Sequence, residues 1–219
     1  MLFAVGDVHG HFTKLMGLMA HCRRLAGDRG SLARFILLGD YIDRGPASRD
    51  VVAFLAANPE AVQAIRGNHE DLLLRAVDNP EARAVWHANG GLETLDSYGT
   101  TTTDAIPAAH LDCLRRLPLF IDDGRRLFVH AGIDPANPEA RDPQVLMWTR
   151  THPADTALLP RFLVHGHTPT RNRKPDLRPN RLNLDTGAGW GAALTAAGFV
   201  DERPAPVCFI DHTGQVELA

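Results

Sequence analysis

Aspartate, asparagine and histidine residues are concentrated in short glycine-containing motifs. The first three motifs are Gly6-Asp7-Val8-His9-Gly10, Gly39-Asp40-Tyr41-Ile42-Asp43-Arg44-Gly45 and Gly67-Asn68-His69-Glu70. Two later motifs are Val129-His130-Ala131-Gly132 and Val164-His165-Gly166-His167-Thr168-Pro169. Carboxylate, amide and imidazole groups without thiolates suit Mn²⁺, Fe or Zn²⁺. One such motif is weak evidence, but five in one chain indicate a metal site.

A site of this composition can hold two ions. Two metals about 3.5–4 Å apart share a carboxylate and clamp the attacking and leaving oxygens of a phosphoryl displacement. They also lower the pKa of bound water, so that hydroxide forms near neutral pH. The expected nucleophile is therefore a hydroxide bound by both metals, and no serine- or cysteine-centred motif is needed. We expect two divalent ions, with manganese the expected metal and iron or zinc the alternatives.

The strands that must position these motifs are short apolar runs. Residues 2–5, 35–38 and 62–65 predict three buried strands, and helical patterns at about 12–25 and 51–57 separate them. This β-α-β-α-β order predicts an α/β architecture with right-handed crossovers. Since open α/β sheets place their sites at the carboxyl ends of strands, the first three motifs should meet at one sheet edge.

The remainder of the chain is predicted to contain a helical segment followed by a series of short strands. Residues 70–118 are predicted to be mostly helical, and short strands are predicted afterwards at 127–129, 162–164, 181–184, 192–196, 207–210 and 216–218. Several of these strands are closely connected, which suggests a second, more antiparallel sheet packed on the first. No repeat or linker divides the chain, so the prediction is one domain over residues 1–219. Its expected fold is an α/β sandwich of two mixed β-sheets flanked by helices.

Composition narrows the class of protein. The 219 residues carry a formal net charge of −3, which does not favour a nucleic-acid-binding protein. No stretch approaches transmembrane length. The three cysteines form no Cys-x-x-Cys pair, so neither a disulfide framework nor a zinc ribbon is indicated. We expect a cytoplasmic enzyme that binds neither nucleic acid nor membrane, and the sequence predicts no oligomeric state.

One local basic stretch departs from the overall charge. It contains Arg171, Arg173, Lys174, Arg178 and Arg181. Its prolines favour an exposed loop, and a polyanion site is the alternative.

The order of the five motifs resembles that of the phosphoprotein phosphatases of the calcineurin-like metallophosphoesterase superfamily. It is most similar to the short bacterial and phage serine/threonine protein phosphatases. The resemblance extends from Gly6 to about Ala188, and Trp86 with Asn89-Gly90-Gly91 is similar to the helical segment of the phage-type enzymes. It implies a metallophosphatase-type sandwich that hydrolyses phosphate monoesters on phosphoserine or phosphothreonine. The implied partner is a phosphoprotein or phosphopeptide substrate.

The resemblance also implies a role for each motif residue. The implied metal ligands are Asp7 and His9 for the first ion, Asp40 as the bridging carboxylate, and Asn68, His130 and His167 for the second ion. His69 matches the general acid, and Asp43 matches the carboxylate that orients it. Such a carboxylate raises a histidine's pKa and keeps the acid protonated.

Arginines are the implied phosphate-binding residues. Arg44 and Arg150 match two phosphate-binding arginines, because guanidinium forks suit phosphoryl oxygens. Arg66 is a further candidate that could equally pair with a carboxylate. Asp185 is expected either to support the site or to cap a turn, and Glu70 is expected to be structural.

The sequence leaves three functional alternatives open. A symmetrical bis(5'-nucleosyl)-tetraphosphatase, which hydrolyses diadenosine tetraphosphate, belongs to the same superfamily. Members of that group usually lack the aspartate that matches Asp43 and carry aspartate in place of Glu70, so the sequence favours the monoesterase. A catalytically inactive binding module of the same fold should have lost ligands, and all six are present. A nuclease reading is weakened by the acidic balance.

Overall fold

The first sheet is built on the three strands that the sequence predicts. The computed structural model describes residues 1–219 and has β1 at Leu2–Val5, β2 at Arg34–Leu37 and β3 at Val62–Ala64, all paired in parallel. Helices α1 (Phe12–Gly27) and α2 (Ser48–Ala57) connect them. The predicted β-α-β-α-β unit is therefore present, and its strand ends lie side by side.

The segment 70–118 is mostly helical, as predicted. It contains α3 (Asn68–Asp78), α4 (Arg83–Trp86), α5 (Leu92–Tyr98) and α6 (Ala108–Arg116), with single 3-10 turns at Pro80–Ala82 and Thr103–Ala105. A π-helical turn at His87–Gly91 joins α4 to α5, and its left-handed residue is Gly90 with φ 104°. These helices share one apolar core with α1, α2 and the outer face of the first sheet.

The later strands divide between two sheets. They are β4 (Phe120–Asp122), β5 (Arg126–Val129), β6 (Phe162–His165), β7 (Asp176–Leu177), β8 (Arg181–Asn183), β9 (Thr195–Phe199), β10 (Cys208–Asp211) and β11 (Val216–Leu218). Strand order is β11-β10-β9-β1-β2-β3 in the first sheet and β4-β5-β6-β8-β7 in the second. Two mixed sheets flanked by helices confirm the predicted fold class.

A second sheet packed on the first is present, but its centre is parallel, so the prediction that it is the more antiparallel sheet is wrong. Strands β9–β11 extend the first sheet by antiparallel pairing, and the centre of the second sheet, β5-β6-β8, is parallel. The physical reason lies in burial: β9 is buried along its whole length, so it fits the sheet interior between β1 and β10. Apolar runs show that a strand is buried, but they do not show which sheet buries it.

The two sheets pack against each other through one face of each. Ala4 and Ala197 from the first sheet meet Phe128 and Val164 from the second in a shared apolar cluster. Helix α7 (Pro143–Trp148) covers the other face of the second sheet, where Leu146 joins a smaller cluster. The order of layers is therefore helix, sheet, sheet, helix. None of the helices combines the length and apolar character that a membrane span needs.

Candidate active site

The motif residues lie in turns whose backbone is strained. Outside glycine, left-handed φ angles occur at His9, Asp40, Asp43, Arg44, His167 and Arg173. Such conformations are uncommon for non-glycine residues and cost about 1–3 kcal/mol each, so the surrounding structure must impose them. Five of these six residues are predicted site residues. The strain is therefore concentrated where the sequence predicts the chemistry.

Asp40 lies at the centre of the cluster and is almost fully buried. Its Oδ2 is 3.6 Å from His9 Nε2, and its Oδ1 is 3.3 Å from His130 Nε2. Gly39 allows this approach because its φ is 104° and a Cβ there would lie 2.7 Å from His130 Nδ1. Each oxygen of Asp40 thus faces a different histidine, which is the arrangement a bridging carboxylate requires.

Both of these histidines are oriented by backbone carbonyls. His9 Nδ1 donates to the Ile42 carbonyl at 3.0 Å, and His130 Nδ1 donates to the Leu38 carbonyl at 2.8 Å. This is how metal-binding histidines are usually held, because the bond fixes the tautomer and leaves Nε2 free for the ion. The two Nε2 atoms then point towards Asp40.

Asn68 joins the side of the cluster predicted to hold the second ion. Its Oδ1 lies 2.8 Å from His130 Nε2 and 2.9 Å from His167 Nδ1. Asp40, His130 and His167 offer ligand atoms within 4.8 Å of one another. The donor set of two imidazoles, a carboxylate and an amide oxygen fits a divalent transition metal.

The side predicted to hold the first ion is arranged differently. Its convergent group consists of His9, Asp40 and His69. The Asp7 carboxylate instead accepts the His167 amide, at 3.0 and 3.2 Å to its two oxygens. A Cβ at Gly166 would lie 2.1 Å from Asp7 Oδ1, so glycine is required for this contact. The role of Asp7 as a metal ligand stays a prediction.

His69 and Asp43 form a short hydrogen-bonded pair. His69 Nδ1 is 2.6 Å from Asp43 Oδ2, and both side chains are buried. Trp86 Nε1 donates to Asp43 at 3.0 Å and Thr94 Oγ1 donates at 2.7 Å. Burial lowers the pKa of His69, but Asp40 and Asp43 outweigh burial and raise it above its ordinary value. The bond to Asp43 fixes the ring of His69, and its Nε2 faces the cluster, where it lies 2.9 Å from Arg44 Nη2.

Glu70 supports the backbone of two motifs. Its Oε2 accepts the amides of Asp40 and Gly67, both at 2.9 Å, and its Oε1 accepts the amide of Tyr41 at 2.7 Å. Burial raises the pKa of Glu70 to about 7. These bonds fix the turn that carries Asp40.

The three candidate arginines occupy different positions. Arg44 reaches into the cluster, with Nη1 2.6 Å from His9 Nε2 and Nη2 2.9 Å from His69 Nε2. Arg150 is exposed, and its charge contributes to the lowered pKa of His167 after burial and His130. Arg66 is half-buried, its Nε has no hydrogen-bond partner, and no bond joins it to the cluster.

Several supporting residues were not predicted as part of the site. Thr94 and Ser48 both bond to the Asp43 turn, and Trp190 lies under Arg44 with 4.7 Å between the guanidinium carbon and the ring centroid. Trp86 is both a core residue and a donor to Asp43. Only Trp86 had a sequence signal, the Asn-Gly-Gly motif that follows it.

His165 and Asp185 also have defined places. His165 is buried, and its ring centroid lies 4.5 Å from that of His152. Asp185 Oδ1 accepts the Gly187 amide at 2.9 Å and caps that turn. Burial raises the pKa of Asp185 to about 6.

Side chains that could hold divalent metal ions therefore converge at the carboxyl ends of the strands. Residues 2–192 match the family model described as calcineurin-like phosphoesterase. The chain belongs to the calcineurin-like phosphoesterase family, and its fold of two mixed sheets agrees with that assignment.

Curated relatives of this chain differ in the activity that they are named for. Serine/threonine-protein phosphatase 1 of Salmonella typhimurium is 31% identical over 208 residues, covering 90% of each protein. A symmetrical bis(5'-nucleosyl)-tetraphosphatase of Neisseria gonorrhoeae is 32% identical over 133 residues. That match covers 61% of this chain and 44% of the relative, so the chain spans less than half the length of the Neisseria protein.

Solved structures agree on the fold. A candidate diadenosine tetraphosphatase superposes with a TM-score of 0.70 at 22% identity, covering 96% of this chain and 91% of the other. A protein serine/threonine phosphatase of Saccharomyces cerevisiae gives a TM-score of 0.60 at 15% identity, covering 93% and 76%. At these identities the likeness supports the architecture alone.

Proposed function

We propose that this protein hydrolyses phosphate monoesters, with phosphoserine or phosphothreonine of a protein as the substrate. The observation that carries the proposal is the buried His69–Asp43 pair, 2.6 Å apart, with Asp43 held by Trp86 and Thr94. A serine or threonine side chain leaves as an alkoxide, which is a strong base and needs a proton. When a phosphoanhydride is hydrolysed, the leaving group is a phosphate anion, which is already stabilised. A positioned, protonated acid therefore favours the monoester.

The other residues have roles that follow from their places. Arg44, between His9 and His69, is positioned to hold phosphoryl oxygens, and Arg150 approaches from the His167 side. Asp43 keeps His69 protonated and fixes its ring, so that Nε2 faces the leaving oxygen. Glu70 and the strained turns hold Asp40 in place between two histidines.

The cluster would hold two divalent metals, for which we propose manganese. Its ligands would be Asp7, His9, Asp40, Asn68, His130 and His167. When bound, such ions supply Lewis-acid polarisation of phosphoryl oxygens and activation of water. The oriented histidines and the donor set support this assignment.

A second candidate is hydrolysis of diadenosine tetraphosphate. Relatives named bis(5'-nucleosyl)-tetraphosphatase support it, both the Neisseria protein and the asymmetrical PrpE of Halalkalibacterium halodurans, which is 26% identical over 229 residues. The intact His69–Asp43 pair is the feature that favours the monoester over this candidate. Since the predicted donor residues are all present, an inactive binding module is the least supported reading.

The test is a direct comparison of two substrates. Enzyme stripped of metal and resupplied with Mn²⁺ would be given a phosphothreonine peptide and diadenosine tetraphosphate in parallel. The expected result is a higher kcat/KM for the peptide. A higher kcat/KM for the dinucleotide would overturn the proposed substrate and leave the metal centre in place.

A further inference from the structure

A polar cleft adjoins the cluster of predicted metal ligands around Asp40, on the side of the second sheet. It has a volume of about 520 Å³ and lies between the Arg150–His152 segment, the chain after His167 and the loop that leads to β8. Apart from Pro169, every side chain that lines it carries charge or can form hydrogen bonds. A cleft of this composition suits a charged ligand better than an apolar one.

The cleft has unbalanced positive charge. Arg150, Arg171 and Arg178 line it, and Asp176 is its only acidic side chain. Arg178 is already paired with Asp176 at 2.8 Å and with Asp155 at 3.4 Å. Arg150 and Arg171 form no ion pair within the protein, so both guanidinium groups remain available to an anion.

The wall of the cleft also contains unused hydrogen-bonding groups. Thr170 is 8% exposed, and its Oγ1 is buried without a hydrogen-bond partner. Thr168 Oγ1 and His152 Nδ1 are likewise buried without partners. An unsatisfied buried polar group costs about 1–3 kcal/mol, so three beside one cleft call for an explanation. A ligand that accepts hydrogen bonds would satisfy the hydroxyl groups.

The cleft and the metal cluster share a wall. Thr168 directly follows His167, and its carbonyl accepts Asn183 Nδ2 at 2.8 Å. The Thr170 amide donates to the Asp185 carbonyl at 2.9 Å. Arg150 lines the cleft and also acts electrostatically on His167. A ligand that reaches the cluster and the cleft together would lie against this shared wall.

We propose that this cleft binds a second phosphate group of the substrate, adjacent to the phosphate that is hydrolysed. The proposal rests on the proposed function, because it takes the cluster as the place where the reacting phosphate binds. Arg171 would hold the second phosphate through two N–H groups, and Thr170 would donate its hydroxyl hydrogen. The second phosphate can come from another phosphorylated residue of the same peptide or from the next phosphate of an oligophosphate chain.

The test uses two variants, one control and four substrates. Arg171→Ala and Thr170→Val remove the proposed contacts, and Arg125→Ala removes an exposed arginine at the opposite end of β5. The substrates are a singly phosphorylated peptide, the same peptide with a second phosphoserine nearby, diadenosine tetraphosphate and p-nitrophenyl phosphate. Calorimetry of both peptides with metal-free protein gives a binding readout that does not depend on turnover.

The expected result is a KM about tenfold lower for the doubly phosphorylated peptide in the wild type, the scale of one charge-assisted hydrogen-bond pair. Arg171→Ala should abolish that advantage, Thr170→Val should reduce it, and Arg125→Ala should keep it. The kcat/KM for p-nitrophenyl phosphate, which has no second phosphate, should be unchanged throughout. The dissociation constants measured by calorimetry should rank the variants in the same order.

The outcomes separate this inference from the proposed function. If both peptides are hydrolysed with equal KM in the wild type and in Arg171→Ala, the subsite is refuted and the phosphatase function stands. If only the dinucleotide is hydrolysed, and Arg171→Ala raises its KM, the subsite stands and the protein-phosphatase function is refuted. If Arg125→Ala loses as much of the KM advantage for the doubly phosphorylated peptide as Arg171→Ala does, the effect comes from general surface charge and the subsite is refuted.

Discussion

The His69–Asp43 pair and the polar cleft differ in how their polar groups are satisfied. The carboxylate of Asp43 accepts hydrogen bonds from three side chains, those of His69, Trp86 and Thr94. In the cleft, the Thr170 hydroxyl has none, and Arg171 has no ionic partner. A fully bonded group is preorganised to act on whatever reaches it. An unbonded group depends on the ligand, so the cleft is the side that can discriminate between substrates.

The largest expected effect comes from the residue at the centre of the cluster. Asp40→Asn should remove metal from the protein and lower kcat by at least about a thousandfold, because both sides of the cluster use that carboxylate. Metal content by mass spectrometry and turnover of p-nitrophenyl phosphate measure this. Asp96→Asn, at an exposed position, is the control. Two bound metals with full turnover in Asp40→Asn would refute the bridging role.

The next effect isolates the acid. His69→Ala should lower kcat by about 10²–10⁴-fold for a phosphothreonine peptide, the usual worth of a general acid. The loss should be much smaller for p-nitrophenyl phosphate, whose leaving group needs no proton. His21→Ala, on the half-exposed surface of α1, should change neither rate. Equal losses on both substrates would show that His69 acts otherwise than as an acid.

A smaller effect tests whether the bonds to Asp43 contribute to preorganisation. Trp86→Phe keeps a ring in the core but removes the indole N–H that donates to Asp43. Losing about 1 kcal/mol should lower kcat for the peptide roughly fivefold. Trp148→Phe is a matched control, because the Trp148 indole N–H has no partner. Equal losses of kcat in the two variants would show that the bond from Trp86 to Asp43 does not preorganise the site.

The smallest effect concerns Arg44. Its guanidinium stacks over Trp190, a ring that is 61% exposed. Exposed contacts of this kind contribute about 0.5–1 kcal/mol, so Trp190→Ala should raise KM roughly two- to fivefold. Trp190→Phe retains a ring and should recover most of the affinity. An unchanged KM in Trp190→Ala would mean that the cluster alone positions Arg44.

Much of the candidate site could be predicted because it depends on local sequence. A buried strand followed by a glycine turn places its polar residues at the sheet edge, and parallel pairing of β1, β2 and β3 brings Asp40 and His69 together. The contacts of Thr94 and Trp190 depend instead on how distant segments pack. Thr94 is 51 residues from Asp43, and nothing in its surrounding sequence marks it.

The difference between local sequence and long-range packing also explains why the pairing of the later strands was predicted incorrectly. The apolar run of β9 indicates burial on both faces, and both sheets offer such positions. Its pairing with β1, Leu2 opposite Phe199, is decided by packing between residues that are far apart in the chain. The parallel centre of the second sheet likewise follows from connections through α7 and the long loops, which periodicity does not describe.

The left-handed backbone at the site residues has a consequence for mutational scanning. Glycine adopts such conformations without steric cost, so Arg44→Gly should relieve strain at a position where φ is 69°. A scan that measures folded abundance would then score glycine there at or above the wild type, whereas a scan of turnover would score it as a loss. Positions at which the two scans disagree would outline the active site from this chain's own behaviour, without comparison to any other protein.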